Sequence, residues 1–124
     1  HIDMNEPYAQ ELRKVLLQAG KNLNIQISDG GIYGGFEGPR FETKAEIQMA
    51  KQFGVTMVGM TGVPEVVLAV EKGLKYAAIC IVANPGAGLS NEIITMEDVQ
   101  KVVSDSAKTV VKILDEATKI LAAN

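Results

Sequence analysis

Val55-Thr56-Met57-Val58-Gly59-Met60, then Thr61-Gly62-Val63-Pro64-Glu65, then Tyr76-Ala77-Ala78-Ile79-Cys80-Ile81-Val82-Ala83 decide the fold. The first run is short and apolar and follows Gly54, so it reads as a strand. Pro64 suits the opening turn of a helix, and Gly73 closes that helix after Glu71-Lys72. Tyr76 to Ala83 is continuously apolar and bounded by turn signals, as a strand buried on both faces would be. Strands and helices in alternation imply an α/β layer fold with parallel strands.

Working outward, Thr43 and Glu46 have capping-box spacing and predict a helix that ends at Gly54. Ahead of it, Ile32 to Phe36 reads as a strand, with Gly34 and Gly35 marking a bulge or a close backbone approach. Ile25 and Ile27 alternate with polar residues before an Asp29-Gly30-Gly31 turn. Asn5 and Pro7 predict a first helix with Tyr8, Leu12, Val15, Leu16 and Ala19 on its apolar face, ending at Gly20. At the other end, Asn84 to Asn91 is a loop punctuated by Gly and Pro. Thr95 and Asp98 then cap a long last helix, with Val99, Val102, Val103, Val110, Val111 and Leu114 expected on its buried side.

Composition narrows the function. Net charge is -3 with no basic cluster, which argues against nucleic acid as a partner. No apolar stretch is long enough to span a bilayer, and no signal peptide is visible, so a cytoplasmic protein is expected. Cys80, the one cysteine, lies within an apolar run and is expected to be a reduced, buried core thiol. His1 and Cys80 make no ligand cluster, so no metal is expected.

Ligands in open α/β sheets bind beyond the carboxyl ends of the strands. Glu37 to Thr43, Gly59 to Glu65 and Asn84 to Gly88 place polar groups at such junctions. Each has an ordinary alternative. Phe41, Met60, Met96 and Val99 fit a core, Glu42 the first turn of a helix, Thr61 a helix cap and Asn84 a turn before Pro85.

Taken together, Gly38-Pro39-Arg40-Phe41-Glu42-Thr43-x-Ala45-Glu46 and Val58-Gly59-Met60-Thr61-x-x-Pro64-Glu65-x-x-Leu68-Ala69 resemble the trimeric purine nucleoside phosphorylase and methylthioadenosine phosphorylase family. The likeness covers nearly the whole chain. It implies the C-terminal portion of the nucleoside phosphorylase fold, a mixed sheet flanked by helices. It also implies cleavage of a purine nucleoside by phosphate, a co-substrate, with no cofactor and with a homotrimer or hexamer as the working assembly. By the same resemblance Phe41 stacks on the purine, Glu42 accepts N1-H of a 6-oxopurine, Asn84 bonds N7 or O6, Met60 packs under the ribose and Thr61 contacts phosphate. A donor at N7 would stabilise negative charge developing on the departing base.

Adenine-preferring members usually carry a small serine where this chain has Glu42, and an ionised carboxylate suits N1-H of a 6-oxopurine better than N1 of adenine. Members acting on ordinary nucleosides often have a histidine near the start of the last helix. This chain aligns Met96 there, with Val99 one turn on, and a thioether beside a branched alkyl suits a 5′-methylthio group. Methylthioinosine is therefore the substrate expected, with inosine or guanosine, methylthioadenosine, and a non-catalytic purine-binding or assembly module as alternatives. The family's N-terminal glycine-rich phosphate loop, arginine, histidine and ribose-binding tyrosine have no counterpart in residues 1–124. The chain is accordingly expected to be the C-terminal part of one phosphorylase domain, with little turnover alone.

Overall fold

A computed structural model describes residues 1–91 and 95–123. Helix α1 (Gln10–Asn22) carries Glu11 in its first turn and Lys21 in its last, both favourable to the helix dipole. It starts three residues beyond Pro7 and runs through Gly20, where a stop was expected. Gly20 is buried, and a Cβ there would lie 2.6 Å from Ile27 Cδ1 and 2.9 Å from the Ile25 carbonyl oxygen. The glycine serves close packing, and the chain turns instead at Asn24, at φ 55°.

Strands β1 (Tyr33–Gly35) and β2 (Met57–Gly59) pair in parallel, with Tyr33 opposite Met57 and Gly35 opposite Gly59. Helix α2 (Lys44–Gln52) connects them, and both arms of the expected capping box between Thr43 and Glu46 are present. Gly54 follows at φ +80° and ends it as expected. Helix α3 (Gly62–Glu71) follows β2 directly and ends before Gly73, at φ +67°.

Helix α4 (Met96–Ala122) is about 40 Å long at the α-helical rise. Thr95 and Asp98 form its capping box, as their spacing predicts. It packs along α1 around Ala19, Ile113 and Ala117, with Val15, Leu16, Leu23, Ile27 and Ile120 against them. Two alanines at the seam let the helices approach closely, and Asn22 Nδ2 donates to Glu116 Oε1 at 2.7 Å across it. The buried stripe is thus set later in α4 than expected. Val103, Val111 and Leu114 are exposed, Val111 by 64%.

The largest departure concerns Tyr76–Ala83. Among the described residues the only ladder is β1–β2. Residues 76–83 form no strand, and Ala78, Cys80 and Val82 are exposed between half-buried neighbours. Cys80 is an exposed free thiol, not a core thiol. Residues 25–31, where Ile25 and Ile27 alternate with polar residues before the expected Asp29-Gly30-Gly31 turn, lack a ladder too. An extended segment becomes a strand only with a neighbour about 4.8 Å away in the hydrogen-bonding direction. None of the described residues offers one to either segment. Between the two segments lies an apolar cleft of about 580 Å³, lined by Ile25, Ile27, Ile79, Ile81, Val110 and Ile113 among others.

Candidate functional site

Because β1 and β2 are parallel, the chain leaves both at the same end of the sheet. The Phe36 N–H donates to the Gly59 carbonyl at 2.9 Å, extending the pairing to that rim. Gly38, at φ +70°, sits against Met60; a Cβ there would be 2.6 Å from the Met60 sulfur. Both the backbone angle and the contact require glycine. Met60 and the Gly38 segment are therefore brought together.

Arg40 and Thr43 flank Phe41 and Glu42, and both engage Glu46. Arg40 Nη1 and Nη2 donate to Glu46 Oε2 and Oε1 at 2.9 and 2.8 Å. The Thr43 N–H and hydroxyl donate to Oε2 at 2.7 and 2.9 Å. The Arg40 hydrogen bond, then the Thr43 backbone and hydroxyl donors, hold the Glu46 carboxyl down at about 2. Arg40 is raised in turn, first by hydrogen bonding to Glu46, with Glu42 adding to the negative field. Phe41 is 56% exposed and Glu42 half-buried, so Phe41 is a surface ring and not the core residue of its ordinary alternative.

The Asn84 loop reaches the same region through α2. A Cβ at Gly86 would lie 3.1 Å from Ile47, and Gly88, at φ +78°, sits against Lys44. Lys44 opens the helix that begins directly after Phe41-Glu42-Thr43. Asn84 Nδ2 donates to the Pro85 carbonyl at 2.9 Å, the local turn role expected of asparagine before proline. An amide nitrogen carries two hydrogens, so this bond leaves one donor.

Thr61 is exposed at the N-cap of α3, and its side chain makes no capping hydrogen bond. The neighbouring Gly62 N–H donates to the Tyr33 hydroxyl at 3.3 Å, so one N–H of this turn is already engaged. Tyr33 was not singled out from the sequence; in a short apolar strand it reads only as a β-former. Arg40 was missed as well, because its pairing with Glu46 depends on a turn that no helical or strand period describes. Nearby, the Tyr76 hydroxyl donates to Glu65 Oε2 at 2.8 Å, which pushes Tyr76 up to about 12. Tyr8 stacks obliquely on Tyr76, with ring centroids 5.9 Å apart.

Met96 is the first residue of α4 and 52% exposed, with Val99 half-buried. The main packing of α4 is with α1, so its contacts do not tie these two to the strand-end segments. Among the described residues there is no group of three or more His, Cys, Asp or Glu able to hold a metal ion, and no helix is long and apolar enough to cross a membrane.

Two parallel strands joined through a helix make an α/β unit, and the sequence comparison names the family. A family model described as the phosphorylase superfamily matches residues 1–119, and the chain belongs to that family. It is 39% identical over 98% of its length to a Methanopyrus kandleri protein named "Probable S-methyl-5'-thioinosine phosphorylase", covering 47% of that relative. It is 44% identical over 94% of its length to a Moorella thermoacetica "Probable 6-oxopurine nucleoside phosphorylase", covering 45% of it. A solved methylthioadenosine phosphorylase from Schistosoma mansoni, in complex with adenine, superposes on the whole chain with a TM-score of 0.93 and 33% identity, over 49% of that structure. The chain thus spans about half the length of the relatives it matches, and its fold is that of the corresponding part of a nucleoside phosphorylase.

Proposed function

We propose that this chain carries the purine and ribose side of a phosphorylase site acting on a 6-oxopurine nucleoside. The observation that carries the reading is the convergence of three segments at one sheet rim: Gly38 against Met60, and the Asn84 loop against the helix that follows Glu42. In the reaction a phosphate oxygen bonds to C1′ of the ribose as the C1′–N9 bond breaks. The bonding pair leaves with the purine, and a proton is taken up at the base. Phe41 offers an exposed ring to the purine face. Glu42 accepts N1-H of the 6-oxopurine, and the second N–H of the Asn84 amide donates at N7 or O6, where negative charge develops. Met60 lies under the ribose. Thr61 contributes its hydroxyl to phosphate, with the Gly62 N–H held by Tyr33.

Met96 and Val99 favour a 5′-methylthio group, which makes methylthioinosine the preferred substrate. The name of the Methanopyrus kandleri relative is consistent with that choice. A second reading, methylthioadenosine with a protonated Glu42, is favoured by the likeness to the Schistosoma mansoni enzyme. A homotrimer or hexamer in the cytoplasm is the setting the family resemblance implies, with the remaining phosphate ligands supplied by phosphorylase sequence beyond these 124 residues.

Phosphate-dependent release of base from methylthioinosine, inosine and methylthioadenosine, assayed on the full-length parent chain, tests the reading. Methylthioinosine is expected to be cleaved fastest. Preference for methylthioadenosine would select the second reading, and purine binding without cleavage would leave a binding module.

A further inference from the structure

We infer that Glu46 is a positioning residue for purine recognition, acting through Arg40 and Thr43 to fix the backbone that presents Phe41 and Glu42. The inference rests on the reading that Phe41 and Glu42 face the base. A capping box requires of Glu46 only that it accept from the N-cap backbone. Here Oε2 meets that need through the Thr43 N–H at 2.7 Å, and Oε1 is left for Arg40 Nη2 at 2.8 Å. The guanidinium is gripped at both forks, since Nη1 reaches Oε2 at 2.9 Å. That same Nη1 donates to the Phe41 carbonyl at 3.0 Å.

One carboxylate therefore ties down the residue before the Phe41-Glu42 pair, the residue after it and, through Arg40, the Phe41 peptide. Gly38 against Met60 anchors the segment one step further upstream. Between these anchors Phe41 and Glu42 have little backbone freedom, although Phe41 itself is largely exposed.

The pair's surroundings separate positioning from stability. The Arg40 side chain is 65% exposed and that of Glu46 29%, and an ion pair this open to water adds little to global stability. Arg40 also lies outside the helix whose start Thr43 and Glu46 secure. Removing it should leave α2 intact and release only the presenting segment.

The test uses the intact protein with Arg40→Ala, Arg40→Lys and Glu46→Gln. Arg40→Ala is expected to raise KM for inosine and Kd for hypoxanthine by about tenfold to a hundredfold, as a small misplacement of a recognition group does. KM for phosphate should stay within about twofold of wild type, because Thr61, the residue proposed for phosphate, shares no partner among the described residues with the Arg40–Thr43–Glu46 network. Arg40→Lys keeps the charge but not the two-pronged grip, so it should recover only part of the affinity. Glu46→Gln added to Arg40→Ala should cost far less than it does alone, since both act through one network.

Unchanged purine affinity in Arg40→Ala would overturn the inference, as would a parallel rise in KM for purine and phosphate. If Arg40→Ala does not fold, the same comparison is made on Arg40→Lys, and full wild-type affinity there overturns it. A wild-type protein that neither cleaves inosine nor binds hypoxanthine removes the underlying reading and the inference with it. Wild-type binding with unaffected variants removes the inference alone.

Discussion

On the proposed reading, Glu42 and Asn84 would divide the work of recognising and expelling a base. A carboxylate accepting N1-H is a charge-assisted bond, worth about 1.5–3 kcal/mol. Glu42→Gln is therefore expected to lower kcat/KM on inosine or methylthioinosine by about tenfold to a hundredfold, while improving methylthioadenosine relative to both. Equal rates of wild type and variant on 6-oxopurine nucleosides would show that Glu42 does not touch N1. Asn84 acts later. If its free N–H meets charge that builds only as the bond breaks, Asn84→Ala should reduce kcat by about a hundredfold or more, with a much smaller effect on nucleoside binding. Single-turnover base release separates the two, and a loss confined to KM would assign Asn84 to ground-state binding. Both residue types were legible in the sequence. The turn role of Asn84 before Pro85 was legible too, whereas the Tyr33 bond to Gly62 arises from ring packing and was not.

At the scale of elements, the turn before α2 and the first turn of α2 form one electrostatic unit. Glu46 has its carboxyl held down at about 2 by Arg40 and Thr43, against an ordinary value of 4.5. A carboxyl lowered on folding contributes stability that is fully present above its unfolded range and is lost as pH falls through its folded value. The Arg40–Glu46–Thr43 unit should thus stay intact down to about pH 4.5 and dissolve as pH falls towards about 2. Following the Glu46 side-chain carboxyl by NMR during acid titration checks this. A midpoint near 4.5 would mean the pair does not form in solution. The start of α2 and the start of α4 were both readable, because Ser/Thr with an acidic residue three positions on is a local signal. The end of α1 was misread because Gly20 is there for a contact, and contacts with residues 25 and 27 leave no trace in a helical window.

At the scale of the whole molecule, the described residues leave much apolar surface open. Phe53 is 77% exposed and Val82 70%, and the cleft between residues 25–31 and 76–83 is lined by isoleucines and valines. Extended segments without ladder partners add unpaired backbone groups to that surface. These 124 residues by themselves are expected to self-associate and to expose Cys80 to Ellman's reagent without denaturant. Sedimentation velocity and thiol titration check both. A monodisperse 13.3 kDa species with a protected thiol would show that the cleft closes within the chain.

Legible in the residues alone were the order of the helices, the two paired strands, the capping boxes at Thr43 and Thr95, the turn glycines and the places of Phe41, Glu42 and Thr61 after strands. Each depends on residues a few positions apart, so a local window contains the whole cause. Only the tertiary structure decided that Tyr76–Ala83 has no ladder among the described residues, that Cys80 faces outward and that α4 buries Ile113 and Ala117 in place of its earlier valines. Burial and strand pairing belong to two surfaces at once, and a run of apolar residues specifies only one of them. The Arg40–Glu46 grip on the Phe41-Glu42 segment has the same origin: the residue types were in plain view, and their meeting depended on a turn that only the folded chain defines.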